Sequence, residues 1–272
     1  MGLITNEFSR CAYELITIDP SKPGHAALLK EAYDDVYVPA FPIDDERQPM
    51  QAWVDKSHPG NPNSNKYIVI VAGSNLNDPE TRRIEGISVG IYYSEAQVGL
   101  MAYNAIRPTC QGGGLGHAMV DARIEAFQNL ADQRGEDLRG IFLEVNDPAQ
   151  VKAEDDSFDP AKRLAIFKKW GAQEVAINYI QPALDEDKAK FDKLMLLSYP
   201  TREGVRPDAD AVHDFLYALY KGCGYKHPEK DADFIHMKAE LYDLNRQERE
   251  SGLNLSKSLM HPAFRPAAPM FN

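Results

Sequence analysis

Two patterns of apolar residues alternate along this chain, short continuous runs and stretches in which they recur every third or fourth position. The clearest run is Val98–Ile106 (V-G-L-M-A-Y-N-A-I), which carries no charge and reads as a strand buried on both faces. Residues 12–18, 67–72, 84–93 and 140–146 read as further strands, and 175–180 and 193–199 close the set. Helical spacing puts Ala27, Leu28, Ala32 and Val36 on one face of 24–38, and a short helix is expected at about 50–56. From Gly114 to about Arg134, Leu115, Met119, Ala122, Ala126 and Leu130 recur at three and four. Pro160 opens another helix at its favoured first position, Leu164 and Phe167 mark its face, and Gly171 stops it. Arg107-Pro108 ends the central strand, because proline has no N–H for a sheet ladder. Three prolines in 38–49 forbid a regular helix there, and 94–97 reads as a hairpin turn. Strands and helices alternating over short connections predict an α/β fold.

Past residue 199 the pattern changes. Val212, Phe215, Leu216 and Leu219 mark one amphipathic helix, ended by Gly222 and Gly224, and Phe234, Met237, Leu241 and Leu244 mark a second. The chain therefore divides into an α/β unit, 1–199, and a C-terminal helical extension, 200–272, whose tail from Leu253 is expected to be irregular. Two apolar stripes need cover, on the α/β unit or on a second copy of the chain, so a homodimer stays open.

The junction after the central strand carries the chemistry. Gln111, Gly112, Gly113, Gly114, Leu115 and Gly116 join a strand to a helix start. The first N–H groups of a helix have no partner inside it and carry partial positive charge. Glycines let phosphates approach that backbone. The loop should hold a pyrophosphate. A P-loop would need Lys and Ser or Thr after Gly116, where His117-Ala118 stand, and the dinucleotide fingerprint would need glycine in place of His117.

What fits is Gln-x-x-Gly-x-Gly, with Pro108 three residues ahead of Gln111. It resembles the acyl-CoA-binding motif of the GNAT N-acyltransferase superfamily. That family follows the motif helix with a strand, here Gly140–Asn146, and a shorter helix ending like Tyr-x-x-x-Gly-Phe, where this chain has Phe167-Lys168-Lys169-Trp170-Gly171-Ala172. The resemblance spans about 12–199. It implies a GNAT-like mixed central sheet flanked by helices, acetyl-CoA as acyl donor, and direct transfer to an amine of a small molecule or peptide. It also implies that Gln111 to His117 hold the pyrophosphate, that the pantetheine arm pairs with the central strand, and that a backbone N–H near Ile106 polarises the acyl carbonyl. Asn146 and Phe167 would then lie beside the donor.

An attacking amine must lose its proton, and a carboxylate usually takes it. The central strand has no Asp or Glu; Glu144, inside an apolar run, and Glu85 are the candidate bases. Many relatives have a tyrosine where Phe167 stands, thought to protonate the departing thiolate. Phe167 cannot, which leaves Tyr179 or Tyr103, or no acid at all. The rival reading is an acyl-CoA-binding protein of the same fold without catalysis.

Composition narrows the partners. A net charge of −11 argues against nucleic acid, and the apolar run at 67–72 is too short for a membrane span. Asp34, Asp35, Asp44, Asp45, Glu46 and, in an insertion after residue 146, Glu154, Asp155, Asp156 and Asp159 could attract a cationic acceptor, or simply be turn formers and solvated face. Cys11, Cys110 and Cys223 are an odd, scattered set suited to a reducing cytosol, and with His213, His227 and His236 they form no metal spacing. No apolar leader precedes residue 12, so a cytoplasmic protein is expected.

Overall fold

A computed structural model describes residues 13–42, 47–57, 65–185 and 187–250. The apolar runs form one seven-stranded sheet from β1 (Glu14–Thr17), β2 (Lys66–Ser74), β3 (Arg83–Tyr93), β4 (Val98–Ile106), β5 (Gly140–Asn146), β6 (Gln173–Glu174) and β7 (Leu194–Tyr199), in the order β1-β2-β3-β4-β5-β7-β6. Every neighbouring pair is antiparallel except β4 and β5, which are parallel and joined by the helix α4 (Leu115–Arg134).

The two faces differ in what covers them. On one, α4 and α5 (Pro160–Lys169) pack over Ile68, Met101, Ile141, Leu143 and Leu197. Phe127 of α4 sits flat against the strands because Gly90 and Gly99 leave it room; a Cβ at those positions would lie 2.7 and 2.6 Å from its ring. On the other face, Tyr67, Val89, Ile91, Tyr93, Leu100 and Phe142 meet α1 (His25–Ala32), a π-helical turn at Tyr33–Tyr37, the short α2 (Val38–Ala40) and α3 (Met50–Ser57). The extension covers this second face too. Its first helix, α6 (Ala209–Gly222), is capped by Asp208, whose carboxylate accepts the Ala211 N–H at 2.8 Å. Phe215 of α6 stacks on Phe142 at 4.2 Å, and α7 (Ala232–Glu250) adds Phe234, Met237 and Leu241 to the same core.

Three expectations are corrected. Residues 175–180 are not a strand: only Gln173–Glu174 pair with β7, Val175 N–H reaches Leu196 O at 2.9 Å, and the chain then turns toward the extension. Its backbone finds partners there, Glu240 taking the Asn178 N–H at 2.8 Å. The buried face of α4 runs through Leu115, Met119, Val120, Arg123, Phe127 and Ala131, with Ala122, Ala126 and Leu130 only half buried, because seating Phe127 turns Arg123 inward. In α1, Ala27 is exposed and Leu29 buried, and the π turn brings both Val36 and Tyr37 inside. Asp44, Asp45, Glu46, Cys11 and the tail from Leu253 lie outside the described residues.

Candidate active site

The parallel pair at the centre of the sheet opens like a V. β4 and β5 pair only at Val98↔Gly140, Gly99↔Ile141 and Leu100↔Phe142, although both strands continue beyond. The cause is a bulge. Opposite Gly90 of β3 stand two residues of β4, Met101 and Ala102, and such an insertion bends the strand that carries it. Past the bulge β4 stays with β3, from Val89↔Tyr103 to Gly86↔Ile106, and leaves β5. Arg107 N–H bonds to Glu85 O at 2.8 Å, so ladder alternation turns the backbone groups of Asn104 and Ile106 toward the gap. The Ile106 carbonyl accepts from the Gln111 side chain at 3.3 Å, on the side away from β3.

At the mouth of this gap lies the glycine loop. Gly112 and Gly114 have φ of +82° and +84°, the left-handed region that residues with a Cβ avoid. Gly114 is the N-cap of α4 and has no side chain to cap it, so among the described residues the first N–H groups remain open to an anion. Gly116 is needed for space, since a Cβ there would be 3.1 Å from both Ile106 Cδ1 and the Trp170 ring. His117 stacks on Trp170 at 5.0 Å and lines a cavity of about 470 Å³ with Tyr13, Gly114, Ala118 and Asp121. Leu115 is core, with Met119, Tyr13 and Ala72, so only its backbone can serve a ligand.

Across the gap from Tyr103, on the face covered by α6, stands Glu144 of β5. Its Oε1 accepts hydrogen bonds from the Tyr179 hydroxyl and, at 2.9 Å, from Gln181 Nε2. Burial pushes the Glu144 carboxyl above the ordinary range, and these two donors pull part of the way back. Tyr179 is 3 % exposed, and burial followed by the Glu144 charge holds its hydroxyl well above the usual phenol value. Tyr93 and Tyr103 are raised chiefly by burial, and the same carboxylate contributes to both. Tyr103 hydrogen-bonds Tyr37, whose ring meets Tyr103 edge-on at 5.1 Å and Trp53 at 4.7 Å. A half-buried carboxylate near three phenols, whose hydrogen-bond partners among the described residues are a phenol and an amide and no cation, is equipped to accept a proton.

The structure thus brings Glu144 and Tyr179 into contact, with Tyr103 facing them across the gap, and leaves Glu85, Phe167 and Asn146 apart from that pair. Glu85 sits at a bulge at the start of β3, two strands from Glu144. Phe167 lies on the α4 side, packed edge-on against Trp170 at 5.7 Å. Asn146 ends β5, with its amide held by Asp156 at 2.6 Å, and Arg163 grips the same carboxylate at 2.7 and 2.9 Å. Asp34 is paired with Lys30, Asp35 lies 3.6 Å from Arg107, Glu154 3.6 Å from Lys152, and Asp159 caps α5.

Two site residues escaped the sequence reading. Gln181 stands two positions past Tyr179, an alternation that was a usable signal. Arg123 is 1 % exposed and donates to Tyr103 O at 3.1 Å, beside the bulge. Burial lowers its guanidinium to about 10. Nothing in a lone arginine on a helix announces this.

No family model and no curated protein matches the sequence. Solved structures do match in shape. A Bacteroides thetaiotaomicron protein assigned as an acetyltransferase of the GNAT family aligns over 77% of this chain and 98% of its own, at 16% identity and a TM-score of 0.51. The fold is that of the GNAT acetyltransferases. Two more distant likenesses are a Bacillus subtilis acetyltransferase in complex with CoA (14% identity, 69% of this chain and 97% of that one, TM-score 0.42) and the Escherichia coli ribosomal-protein-S18-alanine N-acetyltransferase (14%, 69% and 92%, TM-score 0.41). Neither is similar enough to bear on this chain's ligand or acceptor.

Proposed function

We propose that the chain is an acetyl-CoA-dependent N-acyltransferase that acetylates a primary amine by direct transfer. The reading rests above all on one observation: a hydrogen-bonded pair of the half-buried Glu144 and the buried Tyr179 stands where β4 and β5 part.

The chain's groups suit an acyl-CoA. Open N–H groups at the start of α4 match a pyrophosphate. Asn104 Oδ1 is buried without a hydrogen-bond partner on a strand that borders the gap, and an amide N–H of a pantetheine arm would satisfy it. When bound, the donor supplies an activated thioester. Ile106 N–H, turned into the gap, serves as a hydrogen-bond donor to the acyl oxygen.

Glu144 takes the proton that the amine must shed, and its raised pKa makes it a better base than an exposed carboxylate. Tyr179 responds to that event. While Glu144 is charged, it holds the phenol proton; once Glu144 is neutral, that restraint is gone and Tyr179 can donate to the leaving sulfur. The proton on Glu144 then returns the phenol to its starting state through the bond they share.

The experiment is CoA release from acetyl-CoA, followed with a thiol-reactive dye, against a panel of primary amines. Amine-dependent release supports the reading. Saturable acetyl-CoA binding with no release by any amine would favour the rival, a binding protein without catalysis.

A further inference from the structure

Tyr179 and Gln181 lie on a segment with little sheet pairing of its own. After Val175 the chain makes a tight turn, Ile177 N–H to Val175 O at 2.8 Å, and it does not rejoin a neighbour until the single bridge Gln181↔Phe191. What holds the intervening residues comes from the extension. Glu240 of α7 accepts the Asn178 backbone N–H at 2.8 Å through one oxygen and the Asn178 side-chain amide through the other. Met237 Sδ receives the Ile180 N–H at 3.4 Å, and the Tyr220 hydroxyl reaches Ile180 O at 3.5 Å. The clamp on Asn178 is the strongest of these, being bidentate and accepted by a carboxylate. It grips the residue immediately before Tyr179.

We propose that Glu240 is a positioning residue for catalysis: by fixing Asn178 it aims the Tyr179 hydroxyl at Glu144, so the C-terminal extension completes the active site. This rests on the proposed acyltransferase reading. Glu240 itself touches neither Glu144 nor the gap. It is partly exposed, with 23 % of its side chain accessible, and its other neighbour is His236 one helical turn away at 3.2 Å. Truncating it therefore loosens the segment without opening the core.

The test is a double-mutant cycle on the full chain with Glu240→Ala, Tyr179→Phe and both together. Glu240→Ala should lower kcat about tenfold with the KM for acetyl-CoA unchanged, because the donor binds at the α4 end. In the double variant the loss should equal that of Tyr179→Phe alone, since an unaimed phenol and an absent one are equivalent. Glu240→Gln keeps an oxygen for the Asn178 N–H and should stay within about threefold of wild type.

The pH profile supplies an independent readout. The groups facing Glu144 are Tyr179 and Gln181 by hydrogen bond and Tyr93 and Tyr103 at longer range. Losing the Tyr179 bond raises the Glu144 pKa, so the acid limb of kcat/KM should move to higher pH in Glu240→Ala, as in Tyr179→Phe. A merely structural Glu240 would lower Tm, leave the acid limb in place and give additive losses in the cycle, and that result overturns the proposal. If Tyr179→Phe and Glu144→Gln lower kcat while Glu240→Ala leaves it at the wild-type value, the positioning role falls and the acyltransferase reading stands. If wild type releases no CoA with any amine, both fall.

Discussion

Replacing Glu144 by glutamine should have opposite effects on activity and on stability. The amide oxygen can accept the same hydrogen bonds, from Tyr179 and from Gln181 at 2.9 Å, so the local geometry has no reason to change. What disappears is the proton acceptor. A positioned base contributes roughly 100- to 10,000-fold, so kcat should fall by at least about a hundredfold. That is about 3 to 5 kcal/mol of barrier. Stability should move the other way. Burial raises the folded pKa of Glu144 above its ordinary 4.5, so the native state binds this proton more tightly than the unfolded chain does. The stability that Glu144 contributes is therefore fully present below about 4.5 and lost as pH rises through the folded value. Glutamine has no such dependence. The Tm of Glu144→Gln should exceed that of wild type at pH 8, and the difference should shrink as pH falls toward 4.5. Thiol release at saturating acetyl-CoA and amine measures the first effect, and melting curves at several pH values measure the second. A variant that keeps kcat within about threefold refutes the base assignment. One that melts lower than wild type at pH 8 refutes the claim that the buried charge is a cost.

Other perturbations separate the donor site from the scaffold. Gly114→Asp places a side chain at φ +84° and a negative charge at the uncapped helix start, so the thermal stabilisation given by acetyl-CoA should vanish; wild type should gain about 2.7 kcal/mol at a hundredfold excess over Kd, and an undiminished shift in the variant would remove the loop from the site. Arg123→Met strips Tyr103 O of a donor, at about 1–3 kcal/mol, and relieves a guanidinium that burial lowers to about 10, a gain of similar size, so Tm should barely move. The KM for acetyl-CoA should rise severalfold as the bulge loosens, and a change confined to the amine KM would contradict that role. Phe215→Ala removes the fully buried ring stacked on Phe142 and should cost about 3–5 kcal/mol by denaturant titration; a loss below about 1 kcal/mol would mean that the extension is a loosely attached appendage.

Much of this arrangement was legible because local signals and tertiary demands agreed. β4 and β5 occupy the residues their apolar runs mark, Pro108 ends one strand, and the glycines turn the chain into α4. Glu144 stood out as the one charge in its run, and it is half buried, withdrawn enough from water for desolvation to raise its carboxyl. The failures have a common cause. The stretch from Val175 has the composition of a strand, but past Val175 it leaves the sheet, and the Asn178 backbone N–H finds its partner on a helix more than sixty residues later, at Glu240. Arg123 faces inward because Phe127 fits over Gly90 and Gly99, a match between elements that periodicity in α4 alone cannot reveal. The bulge at Met101–Ala102, which opens the site, leaves no mark on an uninterrupted apolar run.

The central claim is that the gap between β4 and β5 receives the acyl donor, and amide hydrogen exchange with and without acetyl-CoA tests it most directly. The N–H groups of Asn104 and Ile106 face the gap, and Gly114 offers no side-chain cap to those at the start of α4. Acetyl-CoA should slow exchange at Asn104 and Ile106 and at Leu115, Gly116 and His117, and leave β1 and β2 unchanged. Binding that protects α6 and α7 but neither of these two groups would contradict the account.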